Sequence, residues 1–246
     1  MPREVGCAGH GATVKAPAPM SSAAAPRLPL RTPNENEERI PQMSNSTQST
    51  GRRVAAEVTV SMDGYSSTGP EDDMSWCMDH IVSGQSEIYY EGIWRGVDTA
   101  LLGRTNWEGF TAVWPGLTED PASSARTRDL GRWLATVEKV VFSTTLEQSD
   151  LDEAAWTNAR IGRDLEAEVR ALKEAPGRDI LVLNSASIIQ QLLAAGLVDD
   201  LYLTIVPTTL GGGLRLLPDD YASSWKLASA TTFPDTSTIS VHYYRG

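Results

Sequence analysis

Cysteine is nearly absent from this chain: its 246 residues include two, Cys7 and Cys77. Two distant thiols exclude a disulfide framework and a clustered thiolate metal site, and they fit a reducing, cytoplasmic setting. Histidine is scarce too, and His10, His80 and His242 are too scattered to suggest a metal cluster. No stretch approaches the roughly twenty apolar residues of a membrane span, so no membrane partner is expected. Positive charge is also short. With 21 Lys and Arg against 32 Asp and Glu, the formal net charge is -11, which repels a phosphate backbone and argues against a nucleic-acid partner.

The beginning of the chain lacks apolar periodicity. Met1 to Arg53 is rich in Ala, Pro, Ser, Asn and Thr and reads as a disordered leader. Gly, His, Lys and repeated Pro break every apolar segment that a secretory signal would need, and Glu35, Glu37 and Glu38 argue against an organelle transit peptide. One ordered domain is expected over residues 54–246.

From Val54 onward, strand and helix signals alternate. Val58, Val60 and Met62 form the inner face of a half-buried strand that breaks at Asp63-Gly64. A helix is expected through Cys77 to Tyr89, a buried strand over Val97 to Leu102, and then a short aromatic-bearing helix as far as Pro115. Asp120 to Ala135 reads as a helix, Lys139 to Phe142 and Trp156 to Ile161 as strands, and Arg163 to Glu174 as an amphipathic helix. Asp179 to Leu183 is an apolar strand, Asn184 to Ser187 a tight turn, and Ile188 to Ala195 a helix stopped by Gly196. Leu197 to Val206 gives another strand, and Trp225 to Thr232 with Thr238 to Tyr244 a closing antiparallel pair. About eight strands and four helices in this order predict an α/β fold: three layers around a mainly parallel sheet with an antiparallel C-terminal edge.

Polar residues gather where these strands end. Gly103-Arg104-Thr105 follows one strand, Ser143-Thr144 a second and Asn184-Ser185-Ala186 a third. In α/β folds ligands bind beyond the carboxyl ends of strands, where helix N–H groups favour an anion, so Arg104 and Thr105 are placed to grip a phosphate. An isolated Gly-Arg-Thr is more often a surface junction; its company at other strand ends favours a site. For proton transfer the best-placed carboxylates are Asp63, at the end of the first strand, and Asp79, early in the following helix, although Asp-Gly also makes a turn on its own. Trp76 is a candidate pocket wall, Arg215 a contact for an anionic substrate, and the loop carrying Gly211, Gly212 and Gly213 a bulge on the substrate side. Trp107, Trp114, Trp133 and Trp225 read as packing residues and His80 as a surface residue.

Taken in order, these segments resemble the dihydrofolate reductase fold, and more closely the reductase domain of the riboflavin-biosynthesis deaminase-reductase family in its stand-alone form. The resemblance is carried by Ser61-x-Asp63-Gly64, Leu102-Gly103-Arg104-Thr105 with Trp107-Glu108, and Val141-x-Ser143-Thr144. It continues through Trp156-x-Asn158, Asp179-Ile180, Ala195 to Leu201, and Pro207-x-x-Leu210-Gly211-x-Gly213. It implies an NADPH-dependent reductase of a small heterocyclic, imine or carbonyl substrate, acting as a homodimer. Arg104, Thr105 and Ser143, with Thr144 as a neighbour, would then hold the 2'-phosphate, and Gly103 would be a further cofactor contact. Asn184, Ser185 and Ala186 would form the pyrophosphate turn, where the family usually has Gly-Gly or Gly-Ser. The His-x-Glu and Pro-Cys-x-x-Cys signature of the deaminase half is absent, so a reductase half alone is expected. Asn184 leaves a second reading open, a non-catalytic ligand-binding or interaction module that keeps the fold without the cofactor.

Overall fold

The structure, a computed structural model, describes residues 51–69, 74–81 and 84–246. Residues 1–50 of the expected leader lie outside the described residues. The last residues assigned to that leader belong to the fold: Arg52 is buried and donates to the Arg178 carbonyl and the Thr99 hydroxyl, both at 2.6 Å, while Arg53 meets Asp200 at 2.7 Å.

β1 (Val54–Ser61) opens the fold and short β2 (Tyr65–Ser67) follows; α1 (Ser75–Ile81) and α2 (Gly84–Trp94) lead to β3 (Val97–Gly103). α3 (Arg104–Glu119) and α4 (Ala125–Thr136) lead to β4 (Glu138–Phe142), and α5 (Gln148–Asp152) to β5 (Ala159–Gly162). α6 (Leu165–Glu174) leads to β6 (Asp179–Leu183) and α7 (Ala186–Ala194) to β7 (Asp200–Val206). β8 (Leu214–Arg215), β9 (Lys226–Phe233) and β10 (Thr238–Tyr244) complete the chain.

Eight strands form one sheet in the order β5-β4-β3-β6-β1-β7-β10-β9, parallel from β5 to β7 and antiparallel at β10 and β9; β2 pairs with β8 apart from it. Parallel crossovers are right-handed, so connections stepping from β1 towards β5 place their helices on one face and those stepping back to β7 place theirs on the other. The packing follows: Tyr89, Ile93, Trp107 and Leu134 of α2, α3 and α4 bury one face, while Val169, Leu172, Ile189 and Leu192 of α6 and α7 bury the other. The result is the expected three-layer architecture, a mainly parallel sheet with an antiparallel C-terminal edge. The winding reverses around β3, β6 and β1, and in open α/β sheets the crevice that takes a ligand lies beyond the strand ends at such a reversal.

Several elements differ from the sequence reading. β1 is buried along its whole length because helices cover both faces of the sheet, and Met62 lies beyond the strand, 60% exposed. The helix expected over Cys77 to Tyr89 is two helices, α1 and α2. α3 continues through Pro115, and the helix expected from Asp120 starts at Ala125. The Ser124 hydroxyl caps α4 by accepting from Thr127 N at 3.0 Å, whereas the Asp120 N–H closes α3 on the Gly116 carbonyl. A Cβ on Gly131 of α4 would lie 1.9 Å from Thr118 Oγ1, so the last turn of α3 packs against α4 through a contact that glycine permits. Trp156 is a core residue preceding β5, separated from it by Asn158 in a left-handed conformation (φ 57°).

Candidate functional site

β3, β4 and β5 are neighbours in the sheet, and polar residues follow each of them. Arg104 opens α3; its Nε donates to Glu108 Oε1 at 2.8 Å and its Nη1 to Thr145 Oγ1 at 3.2 Å. After β4, Ser143 Oγ accepts from the amides of Thr145 and Leu146 at 3.1 and 3.0 Å, which closes the 143–146 turn. Arg163, directly after β5, reaches the same turn: Nη1 donates to the Ser143 carbonyl at 2.5 Å and Nη2 to that of Leu146 at 2.7 Å. Thr105 and Thr144 are exposed beside these groups. The structure therefore brings together Arg104 and the turn opened by Ser143, leaves Thr105 and Thr144 as their exposed chain neighbours, and adds Thr145 and Arg163, which sequence reasoning missed. The signal for Arg163 was its place immediately after a strand, the same place Arg104 holds.

The two guanidinium groups are partly neutralised, Arg104 by Glu108 at 2.8 Å and Arg163 by Glu147 at 3.1 Å. Both pairs are exposed, and exposed pairs contribute no more than about 1 kcal/mol, so an arriving dianion displaces them at small cost.

Across the crevice, Asn184 follows β6 with a φ of 45°, a conformation asparagine tolerates better than most residues. Its backbone N–H donates to the Glu57 carbonyl at 2.8 Å, its Oδ1 accepts from Thr59 N at 3.0 Å, and its Nδ2 donates to Glu57 Oε2 at 3.3 Å. The amide thus continues the hydrogen bonding of β1 past the point where β6 ends. Ser185 is buried, its Oγ accepting from Gly103 N at 3.0 Å and donating to the Leu183 carbonyl at 2.9 Å. That hydroxyl joins β3 to β6 and is taken up by the fold. A Cβ on Gly103 would meet nothing nearer than Ile188 Cγ1 at 3.6 Å, and its φ of -82° is ordinary, so neither packing nor backbone angle demands glycine there.

The expected carboxylates behave differently from the reading. Asp63 accepts from Ser61 Oγ at 2.6 Å and from the Gly211 and Leu210 amides at 2.7 and 3.1 Å. The Ser61 hydroxyl first, and then these amides, hold its carboxyl down at about 2. A carboxylate so held has no proton to donate at neutral pH; it anchors the loop after β7. Asp79 is exposed on α1, and the neighbouring His80 Nδ1 lies 3.1 Å from the Thr236 carbonyl, packing α1 on the β9–β10 turn. Trp76 is half-buried, its carbonyl accepting from Thr208 Oγ1 at 3.3 Å. Gly213 has a packing reason: its φ is 115° and a Cβ would lie 2.0 Å from the Ser67 carbonyl oxygen, so glycine lets β8 approach β2. Arg215 stacks its guanidinium 5.0 Å from the centre of the Tyr65 ring.

Sequence reasoning also passed over Glu57. It lies within β1 and is buried, and burial pushes its carboxyl up to about 8. The signal was a glutamate inside the apolar run VAAEVTVS; alternation assigned it to a solvent face that parallel-sheet packing covers.

A doubly wound sheet with cations, hydroxyls and a helix-opening turn at the ends of adjacent parallel strands is an α/β fold of the kind that binds a phosphorylated ligand. The chain belongs to the RibD C-terminal domain family, whose profile matches residues 52–239. It is 30% identical over 196 residues to YyaP of Bacillus subtilis (strain 168), covering 79% of this chain and 96% of that protein. With YwjB of the same organism it shares 21% identity over 194 residues, covering 79% and 98% of the two chains. Among solved structures it is similar to a Shewanella sp. PV-4 protein assigned to riboflavin biosynthesis, with a TM-score of 0.55, 19% identity, and 79% and 99% of the two chains covered. A pyrimidine reductase-like protein from Corynebacterium diphtheriae superposes with a TM-score of 0.51 at 13% identity over 78% and 91% of the chains. At such identities these structures show the fold. Among the described residues no helix is long and apolar enough to cross a membrane.

Proposed function

We propose that this protein is an NADPH-dependent reductase that delivers a hydride to a small heterocyclic, imine or carbonyl substrate. The observation that carries the proposal is the convergence of Arg104 and Arg163 on the hydroxyl-bearing turn 143–146. A phosphate dianion fits that donor set: guanidinium binds it bidentately, and Ser143, Thr144, Thr145 and Thr105 hydroxyls complete its hydrogen bonding. Gly103 and the backbone of residues 184–186 would hold the pyrophosphate against the start of α7, where helix N–H groups favour an anion. The bound dinucleotide supplies the hydride; the chain's own groups bind, orient and exclude water. Trp76, the loop anchored by Asp63, and Arg215 would form the substrate side. Asn184 favours this reading over a non-catalytic module, because its side-chain amide is held against β1 rather than across the turn.

Parallel titrations with NADPH and NADH, read by tryptophan fluorescence, test the proposal. Saturable binding that prefers NADPH is expected. Arg104→Ala should weaken NADPH about 10- to 100-fold, the equivalent of one hydrogen bond to a charged group, and leave NADH nearly unchanged. Equal losses for the two cofactors would remove the 2'-phosphate assignment, and no binding of either by the folded chain would return it to the module reading.

A further inference from the structure

Two carboxyl side chains are buried among the described residues, Asp200 and Glu57. Asp200 is compensated, with Arg53 at 2.7 Å and His242 at 2.8 Å. Glu57 makes no ion pair among the described residues; its polar contact is the Asn184 Nδ2, which donates at 3.3 Å. An unpaired buried charge costs several kcal/mol, so a carboxyl in this position takes the neutral form instead.

The surroundings support that form. The titratable groups facing Glu57 among the described residues are phenols, Tyr89 and Tyr90 of α2 and Tyr202, its register partner on β7; burial raises all three above their ordinary range, so they stay neutral. Thr204 accepts from the Tyr90 hydroxyl at 2.9 Å and shares a hydrogen bond with Ser240 at 2.7 Å, which adds hydroxyls and no charge. The burial that pushes Glu57 up to about 8 is thus unopposed by any cation. Its location matters equally: the residue touching its carboxyl, Asn184, is the one whose backbone forms the turn between β6 and α7. The acid therefore stands one residue from where the dinucleotide would lie, whereas Asp63 is ionised and Asp79 is exposed.

Resting on the reductase reading of the site, we propose that Glu57 is the proton donor of the reaction. The substrate's C=N or C=O carbon gains a hydride from the reduced nicotinamide, which is oxidised, and the π bond opens onto nitrogen or oxygen. That atom takes the proton as the Glu57 O–H bond breaks, leaving a carboxylate that water reprotonates when the product departs. Because the acid must be protonated, the rate falls as pH rises through about 8.

The test compares wild type with Glu57→Gln in two measurements. Infrared difference spectra over about pH 6 to 10 should show a protonated carboxyl band in the wild type at neutral pH that fades on the alkaline side and is missing in the variant. A Glu57 already ionised at neutral pH overturns the proposal whatever the substrate. Single-turnover oxidation of bound NADPH by 2-methyl-1-pyrroline, a cyclic imine, and by cyclohexanone should slow about 100-fold or more in the variant, with NADPH affinity unchanged and the alkaline fall in rate gone. An undiminished rate in Glu57→Gln overturns the proton donor and leaves the reductase standing. Failure of the wild type to bind NADPH overturns the reductase reading and the donor with it. If NADPH binds and neither probe reacts, the infrared band decides. Glu57→Asp, which keeps an acid but withdraws it from Asn184, replaces the first variant if that does not fold; a slower rate at unchanged NADPH affinity supports the role, and an unchanged rate removes it.

Discussion

Glu57 and Asp63 belong to the same strand and its exit, yet their surroundings drive them to opposite protonation states. Glu57 has lost water and gained one neutral amide; Asp63 keeps water and gains three donors. The tether at Asp63 has a pH window. Its folded value of about 2 lies below the ordinary 3.8, so the contribution is complete above the ordinary value and fades as pH falls towards about 2. Asp63→Ala should leave the sheet intact and release the Leu210 and Gly211 amides, with hydrogen exchange at both accelerated at least about tenfold, equivalent to one charge-assisted hydrogen bond. Unchanged exchange at both amides would show that the loop is held by something else. Asp63 was legible in the sequence as a turn residue because an Asp-Gly pair announces itself locally. Glu57 was not, because whether a strand's second face meets water or a helix is settled by the other layer of the fold.

Elements with strong periodic signals were readable to within a few residues: α6 from Leu165, Val169 and Leu172, β6 from an unbroken apolar run, and α7 from its stop at Gly196. The misplaced boundaries were those fixed by contacts across elements, such as α3 continuing past Pro115 to pack on Gly131. Lys139 is another cross-element contact. It is fully buried in β4, and its Nζ donates to the Leu134 and Val137 carbonyls at 2.8 and 2.6 Å, tying β4 to the end of α4. Burial pushes the ammonium down to about 8 from 10.5, so the folded chain binds fewer protons than the unfolded chain between those values. The cost is therefore complete below about pH 8 and disappears as pH rises towards 10.5, with a ceiling of about 3 kcal/mol that the two carbonyl bonds reduce. Denaturant unfolding of wild type and Lys139→Met at about pH 7 and about pH 10 should show the variant's relative stability greatest at the lower pH. A difference independent of pH would mean that Lys139 is not titrating in the folded state.

At the scale of the whole molecule, the described residues cover the parallel part of the sheet on both faces and leave the antiparallel edge open. β9 is exposed along most of its length. On the face shared with α6 and α7, Leu227 pairs with Tyr243 and Thr232 with Ile239, leaving Leu227 57% and Ile239 44% exposed, with half-buried Val241 and Ile205 beside them. Family resemblance had implied a homodimer through sheet-edge contacts, without saying which edge, because pairing of whole chains leaves no short-range mark in a sequence. The fold supplies a candidate: an apolar strip on an unprotected edge, the kind of surface that isolated soluble domains usually cover or charge. Light scattering on the purified chain is expected to give twice its 26.6 kDa mass, and Leu227→Asp to shift it towards one. The substitution buries nothing in the single chain, so its melting temperature at low concentration should hold. A Leu227→Asp protein that remains dimeric would place the interface elsewhere, and a monomeric wild type would leave the strip to a different partner.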